Sequence, residues 1–293
     1  MVSALDDAVG IVVSALRSSG LYNNSVIVFT SDNGGSTKGA GSNWPLKGHK
    51  STLWEGGVRV PGFVHSPLLS SPGVYRGLFH AVDWFATIAG LAGAAVPPEV
   101  DGVDQWAALA GREAPARDSF VYNIAYSQDA LKAAVREGDY KLVVGETRGN
   151  VWVKPGIAEQ RLAQKNRKDD ETDEEEIREE KIRGEEETTQ EFMINCDALS
   201  RKDCRNRNKE INAYRSYKKV KDFFKDGLEL RLYDLHSDPN EKEDLSALHP
   251  GMVRSLLRRL LQELPRAQAS DNPPMDMAGD PRRFGSVWSP GWC

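Results

Sequence analysis

The first third of the chain alternates between apolar and polar positions in two distinct ways. Between Val2 and Leu16, apolar residues recur at spacings of three and four, and Gly20 follows. This spacing predicts an amphipathic helix, and a glycine just beyond it is a stop signal. Residues 25–30 then read Ser-Val-Ile-Val-Phe-Thr, which predicts a strand buried on both faces. A helix followed directly by such a strand favours a layered α/β fold.

The next segments are shorter and less regular. Residues 58–65 predict an extended segment at a sheet edge, because Pro61 lies within it and Pro67 just beyond. Residues 81–92 predict a short buried helix. The Gly- and Pro-containing stretch 93–115 marks a boundary between two parts of the chain.

Beyond this boundary the pattern changes to short alternating strands. Residues 130–136 and 140–144, joined by Glu-Gly-Asp, predict a hairpin, and further strands are predicted at 119–126 and 230–235. A strongly amphipathic helix follows Pro250. The simplest arrangement is an antiparallel sheet with this helix packed on it.

Charge is distributed unevenly along the chain. The 293 residues carry a net charge of −5, yet residues 165–187 alone hold twelve acidic and six basic side chains. Without that segment the chain is nearly neutral, so the acidity belongs to a local insertion at about 155–191. With almost no apolar stripe, the insertion is predicted to be disordered or an exposed helix, the alternative being an acidic binding site. We expect no nucleic-acid partner, because a clustered basic surface is missing.

Two further exclusions follow from composition. The longest uncharged stretch, 84–98, is too short and too rich in Gly and Pro to cross a bilayer, so no membrane span is expected. Three cysteines are too few for a disulfide framework, although Cys196 and Cys204 are close enough in sequence to close a small loop in an oxidising compartment. Cys293 has no obvious local partner.

Candidate chemistry begins directly after the first predicted strand. Asp32 and Asn33 offer hard oxygen ligands suited to calcium or magnesium, although Asn33 followed by glycine is also typical of a simple tight turn. Downstream, Lys50 offers an ammonium to an anionic group, the alternative being a solvated surface lysine. The glycines at 56 and 57 allow close backbone approach, and Glu55 and Arg59 are placed to form a structural ion pair.

Two motifs together resemble a known family. Residues 29–35 read Phe-Thr-Ser-Asp-Asn-Gly-Gly, and residues 43–59 read Asn-Trp-Pro-Leu-Lys-Gly-His-Lys-Ser-Thr-Leu-Trp-Glu-Gly-Gly-Val-Arg. This combination resembles the sulfatase family, in particular arylsulfatases of the arylsulfatase B type. The resemblance continues at 136–142, 232–235 and 285–288, and it covers most of the chain except the charged insertion and the stretch through the first two cysteines.

The resemblance implies a fold, a function and a site. The fold is a large α/β sheet domain of the alkaline-phosphatase and sulfatase kind, whose C-terminal part would be residues 1–112, followed at 113–293 by a small domain with an antiparallel sheet and a C-terminal helix. The function is hydrolysis of sulfate esters, including those of sulfated glycans. Asp32 and Asn33 are then Ca²⁺ ligands, and Lys50 binds the substrate sulfate.

The family pattern is incomplete in this sequence. The Cys-x-Pro-x-Arg motif, whose cysteine becomes the formylglycine nucleophile, does not occur among the 293 residues, nor does the upstream acidic pair of metal ligands. The chain is therefore expected to be a truncated, inactive half of a sulfatase, exposing a sheet edge open to association. The alternatives are a non-catalytic sulfatase-derived binding protein and a related phosphoester hydrolase.

The family is typically lysosomal or secreted. Asn23 lies in an Asn-x-Ser sequence, which makes it a candidate N-glycosylation site in a surface loop. The first residues lack the basic and apolar segments of a signal peptide. Localisation is therefore expected to follow from the parent protein.

Overall fold

The computed structural model describes residues 2–37, 41–126, 131–146, 148–156, 228–267 and 282. Most of the predicted charged insertion, all three cysteines and the motif at 285–288 lie outside the described residues. Within them, none of the helices is long and apolar enough to cross a bilayer.

The first helix, α1, spans Val2–Ser18, as its periodicity predicts. It ends where Gly20 adopts a φ of 75°, a conformation that glycine accepts without strain. No residue of α1 is buried, and Val2 and Ile11 are 82% and 70% exposed. The apolar face of α1 is therefore open to solvent among the described residues.

Two short strands form the first sheet. Strand β1 (Ile27–Thr30) pairs antiparallel with β2 (Gly62–His65). Phe29 lies opposite Phe63, and their rings stack with centroids 5.2 Å apart. The prediction that β1 is buried on both faces is wrong for this chain, because its residues alternate between half-buried and exposed. Among the described residues this sheet has two strands, and little structure covers it.

Three further short helices lie within residues 55–109. Helix α2 (Glu55–Val58) is a single turn, α3 is Asp83–Leu91, and α4 is Trp106–Leu109. Helix α3 confirms the predicted helix at 81–92 but is buried along one side only, since Phe85 is 55% exposed. Its buried Asp83 accepts a bidentate ion pair from Arg117.

The second sheet is antiparallel, with strand order β3-β4-β5-β6. Its strands agree closely with the predicted ones; they are β3 (Ser119–Tyr126), β4 (Leu131–Glu137), β5 (Tyr140–Val144) and β6 (Leu230–Asp234). Helix α5 (Pro250–Glu263) packs on the sheet as predicted. Its Leu256 and Leu260 are fully buried against Val135 and Leu142. Apolar burial on one face of the sheet forms the main core.

The opposite face of this sheet supports the candidate site. There Trp54 packs with Tyr122, Val143 and Tyr233 in a second buried cluster. Segment 53–58 is thereby attached to the four-stranded sheet. The predicted division at residue 112 remains a prediction, and contacts cross it here.

Candidate active site

The Asp32–Asn33 loop follows β1 directly. The amide N–H of Asn33 donates to Oδ1 of Asp32 at 2.8 Å, and Nδ2 of Asn33 donates to the carbonyl of Gly34 at 2.9 Å. These bonds orient both side chains. They leave Oδ2 of the exposed Asp32 and Oδ1 of the half-buried Asn33 without a donor among the described residues.

Glycines allow this loop to lie against α2 with no side chain between them. The N–H of Gly34 donates to the carbonyl of Gly57 at 3.0 Å. A Cβ added at Gly34 would lie only 1.7 Å from the carbonyl oxygen of Gly56. One added at Gly56 would lie 2.5 Å from the carbonyl oxygen of Lys47. The close backbone approach predicted for the paired glycines is confirmed, and Gly34 takes part in it.

The segment that carries Lys50 is bonded to the same loop. The N–H of Lys50 donates to the carbonyl of Gly35 at 3.3 Å. Asn43 bridges the two segments, since its Oδ1 accepts from the N–H of Gly35 at 2.7 Å and its Nδ2 donates to the carbonyl of Gly48 at 3.2 Å. Nδ1 of His49 donates to the carbonyl of Lys50 at 2.7 Å. The three sequence-predicted site residues thus lie on adjoining segments, and the Lys50 side chain is exposed.

A buried lysine lies just before this segment. Lys47 is only 3% exposed, and its Nζ lies 3.8, 5.1 and 5.2 Å from the ring centroids of Trp54, Trp152 and Tyr233. We call these three rings the Lys47 cage. Nζ also donates to Oη of Tyr233 at 3.3 Å and to the carbonyl of Glu241 at 3.4 Å. Burial lowers the pKa of Lys47 from 10.5 to about 8.

A second buried lysine joins α2 to the four-stranded sheet. Nζ of Lys141 lies 2.9 Å from Oε1 of Glu55 and 2.7 Å from Oε1 of Glu241. Burial alone would lower the pKa of Lys141, but the two carboxylates raise it above its usual value. Burial would raise the pKa of Glu55, yet Lys141 lowers it, whereas burial raises the pKa of Glu241. The ion pair expected between Glu55 and Arg59 is therefore wrong, because the partner of Glu55 is Lys141.

Glu146 makes a third attachment. Its buried carboxylate accepts from the N–H of Leu53 at 3.2 Å, from the N–H of Arg148 at 3.0 Å and from Nζ of Lys132 at 3.1 Å. Nε1 of Trp54 donates to the carbonyl of Arg148 at 2.8 Å. The carboxylate of Glu146 and the carbonyl of Arg148 thus hold Leu53 and Trp54, which follow Lys50 closely in the chain.

Comparison with known proteins supports the resemblance found in the sequence. The Sulfatase family model matches residues 1–94. Mouse (Mus musculus) arylsulfatase J is 32% identical over 309 residues, which span 99% of this chain and 43% of the relative. The chain is thus similar to sulfatases along nearly its whole length, and the family model itself matches its first 94 residues. Human arylsulfatase A is 36% identical over 142 residues, covering 47% of this chain and 28% of the relative. The chain therefore spans less than half the length of these curated relatives.

Solved structures agree on the fold. The crystal structure of Ps i-CgsB in complex with k-i-k-neocarrahexaose matches with a TM-score of 0.61 at 22% identity, covering 98% of this chain and 47% of that one. The putative sulfatase yidJ from Bacteroides fragilis matches with a TM-score of 0.51 at 14% identity, covering 88% and 39%. The chain accordingly has the mixed α/β fold expected from its sequence.

The donor chemistry of the Asp32 loop fits calcium in part. Carboxylate and amide oxygens are the ligands that calcium takes, but it needs about six to eight of them. Within the described ranges, no three His, Cys, Asp or Glu side chains gather as a metal-binding group. Asp32 and Asn33 would therefore supply a fraction of a calcium site, and other ligands would have to complete it.

Sequence reasoning missed the buried charges beneath the site. Lys47 lies in a polar, glycine-rich stretch that gives no sign of burial, and its partners Tyr233 and Glu241 lie more than 180 residues away along the chain. Trp54 and Trp152 were the available signal, since tryptophans are seldom left fully exposed. The pairing itself is set by tertiary structure.

Proposed function

We propose that this chain carries part of the active site of a sulfuric ester hydrolase of the arylsulfatase type. The hydrogen bond from the N–H of Lys50 to the carbonyl of Gly35 is the observation that supports this most. It brings a segment bearing an ammonium onto a loop bearing oxygen ligands, Asp32 and Asn33. An ammonium and a bound cation are the two kinds of positive charge that neutralise sulfate oxygens.

In the proposed site, Asp32 and Asn33 hold Ca²⁺, which when bound supplies divalent charge next to the sulfate. Lys50 donates hydrogen bonds from Nζ to sulfate oxygens and keeps the group oriented for attack at sulfur. As the bond between sulfur and the bridging oxygen breaks, these contacts stabilise the negative charge that develops. The backbone bonds among Gly34, Gly35 and Gly57 fix the two loops before substrate arrives, which lowers the cost of orientation.

The nucleophile is the missing component. Members of the family that this chain resembles use a formylglycine hydrate, and its Cys-x-Pro-x-Arg precursor does not occur in the 293 residues. We therefore propose that the chain binds sulfate but does not turn over sulfate esters by itself. We further propose a lysosomal or secreted location for the parent protein, with sulfated glycans among its substrates.

A second candidate function is non-catalytic binding of a partner protein. It is favoured by the exposed apolar face of α1 and by the open edge of β1 among the described residues. A strand edge and an apolar helix face are features that associate with other polypeptides. This alternative predicts association without any affinity for sulfate.

The test measures binding and turnover on the purified full chain. Inorganic sulfate is titrated calorimetrically at constant ionic strength, with chloride as the reference anion, and hydrolysis of an aromatic sulfate ester is followed with and without Ca²⁺. We expect sulfate binding and no turnover. Lys50→Met should weaken sulfate binding roughly tenfold, as expected for loss of a charge-assisted hydrogen bond. Lys242→Met, at an exposed lysine outside the Asp32–Asn33 loop and the segment that bears Lys50, should not.

Two results would contradict the proposal. Unchanged sulfate affinity in Lys50→Met would remove Lys50 from the site. Robust Ca²⁺-dependent hydrolysis by the unaltered chain would show that the nucleophile is another group. Concentration-dependent association with no sulfate binding would instead support the non-catalytic alternative.

A further inference from the structure

The Lys47 ammonium lies in an unusual environment that the proposed chemistry does not use. It is enclosed by three aromatic rings drawn from separate parts of the chain, and it is nearly inaccessible to solvent. Cation–π contacts compensate part of the lost hydration. Even so, an apolar side chain of similar size would fill the same space without the desolvation penalty. Packing alone therefore does not explain why a charged side chain occupies position 47.

Glu241 meets Lys47 from the far end of the sequence. Its carbonyl accepts from Nζ of Lys47, its Oε2 accepts from the N–H of Glu55 at 2.7 Å, and its Oε1 pairs with Lys141. Glu241 also has a φ of 56°, in the left-handed region that non-glycine residues seldom occupy. Such strain persists only where the surrounding contacts enforce it, and it concentrates at functional sites. One strained residue thus holds both ends of the segment from Lys47 to Glu55.

A short series of backbone bonds leads from this pair to the candidate site. The carbonyl of Lys47 accepts from the N–H of Gly56 at 2.6 Å. The next residue, Gly57, accepts from the N–H of Gly34, directly beside Asn33. The N–H of Lys50, three residues after Lys47, donates to the carbonyl of Gly35, which follows Gly34 in the loop. Movement of Lys47 would therefore displace both loops together.

We propose that Lys47 and Glu241 are positioning residues that hold segment 47–57 on the four-stranded sheet and thereby fix Lys50 relative to the Asp32–Asn33 loop. The ammonium has two directional acceptors, the hydroxyl of Tyr233 and the carbonyl of Glu241, so it defines the position of the main chain at residue 47. An uncharged side chain could fill the Lys47 cage, but it would lack the N–H donors that fix the main chain at residue 47. The identity of the anion at Lys50 rests on the proposed function, but the positioning role does not.

The experiment follows amide hydrogen exchange and sulfate affinity in the full chain. Four variants are compared with the wild type: Lys47→Met, Lys47→Arg, Glu241→Gln and, as a matched lysine control, Lys242→Met. Exchange is read at Gly34, Lys50 and Gly56, whose amides make the bonds described above, and at β4 and β5 as reporters of the whole fold. Inorganic sulfate is the probe for the site.

We expect Lys47→Met and Glu241→Gln to speed exchange at the three site amides roughly tenfold and to weaken sulfate binding by a similar factor, because small displacements of site groups are costly. Exchange in β4 and β5 should accelerate much less than exchange at the three site amides. Lys47→Arg, which keeps a cation able to donate in the cage, should recover most of the protection. Lys242→Met should match the wild type throughout.

The outcomes separate three accounts. Unchanged exchange and affinity in both Lys47→Met and Glu241→Gln would overturn the positioning role. Equal acceleration in the site and in β4 and β5 would also overturn it, because the pair would then only stabilise the fold. If the wild type binds no sulfate while local exchange still responds as expected, the positioning role stands and the proposed function fails. Glu241→Gln preserves side-chain shape and decides the question if Lys47→Met folds poorly.

Discussion

The buried Lys47 should make the stability of the protein depend on pH in the alkaline range. In the unfolded chain its pKa is 10.5, and in the folded protein burial lowers the pKa to about 8. Among its charged neighbours, Glu241 and Asp244 raise the pKa, whereas Arg231 and Lys141 lower it. Burial outweighs them all. The folded state therefore releases a proton that the unfolded state still holds between these two pH values.

The sign and size follow from this difference. Where the unfolded state binds more protons, the free energy of unfolding rises with pH. Below about pH 8 the lysine is charged in both states and its burial penalty is fully present; above 10.5 it is neutral in both. Each tenfold change in proton affinity is worth about 1.4 kcal/mol, so the penalty relieved across this window is about 3 kcal/mol.

The assay is a comparison of Lys47→Met with the wild type. Urea unfolding is followed by far-ultraviolet circular dichroism at several pH values from 7 to 10.5, and the difference in unfolding free energy is plotted against pH. Groups that do not contact Lys47 contribute equally in both proteins and cancel in the difference. We expect the wild type to gain about 3 kcal/mol on the variant between pH 8 and 10.5. A difference in unfolding free energy that does not change with pH would refute the lowered pKa of Lys47.

Two further predictions concern the attachments around the site. Lys141→Met leaves the two carboxylates of its ion pairs buried without a cation, so it should lower the free energy of unfolding by about 3–5 kcal/mol at pH 7; a loss under 1 kcal/mol in urea unfolding would mean that the network is solvated. Gly34→Ala places a Cβ on the carbonyl of Gly56, and this main-chain group cannot easily move aside. The substitution should therefore abolish or severely reduce folded protein. Gly10→Ala has open space within α1 and should be neutral or stabilising by up to about 1 kcal/mol, so an equal loss in both alanine variants would contradict the steric argument.

Periodic elements could be predicted from the sequence because their signals are local. The three- and four-residue spacing defines α1 and α5, and the Glu-Gly-Asp turn between β4 and β5 places a glycine at Gly138, whose φ is 54°. Strand bounds in the second sheet agree to within a residue or two for the same reason. Each of these depends on neighbours within about one helical turn or one hairpin.

Burial and ion pairing could not be predicted so well, because they depend on distant segments. The apolar composition of β1 indicates burial on two faces, but its exposure depends on how many strands flank it. The partner of Glu55 was expected four residues away at Arg59, whereas Lys141 lies 86 residues away. Local spacing makes an ion pair possible; only the packing of α2 on β5 decides which cation is nearer.

The candidate site residues stand between these cases. The positions of Asp32, Asn33 and Lys50 in two motifs were enough to place them near one another, and the structure brings their segments together. Their support was not visible, since Lys47 and Glu241 have no local feature that marks them as buried. A resemblance to a family identifies exposed chemistry more readily than the buried charges that hold it.

The glycine-to-glycine contact between the Asp32 loop and α2 also bears on how such a site changes during evolution. At this contact the main chain of Gly34 meets the main chain of Gly56 and Gly57. Main-chain atoms are the same whatever residues occupy the positions. A side chain added at these glycines would prevent the loop and α2 from meeting, so substitution there cannot adjust the site in small steps. Exposed side chains nearby can change without altering this contact; an example is Trp44, whose ring centroid lies 5.5 Å from Nζ of Lys154. The main-chain contact therefore fixes where the two loops meet, while the side chains around it can differ without moving the loops apart.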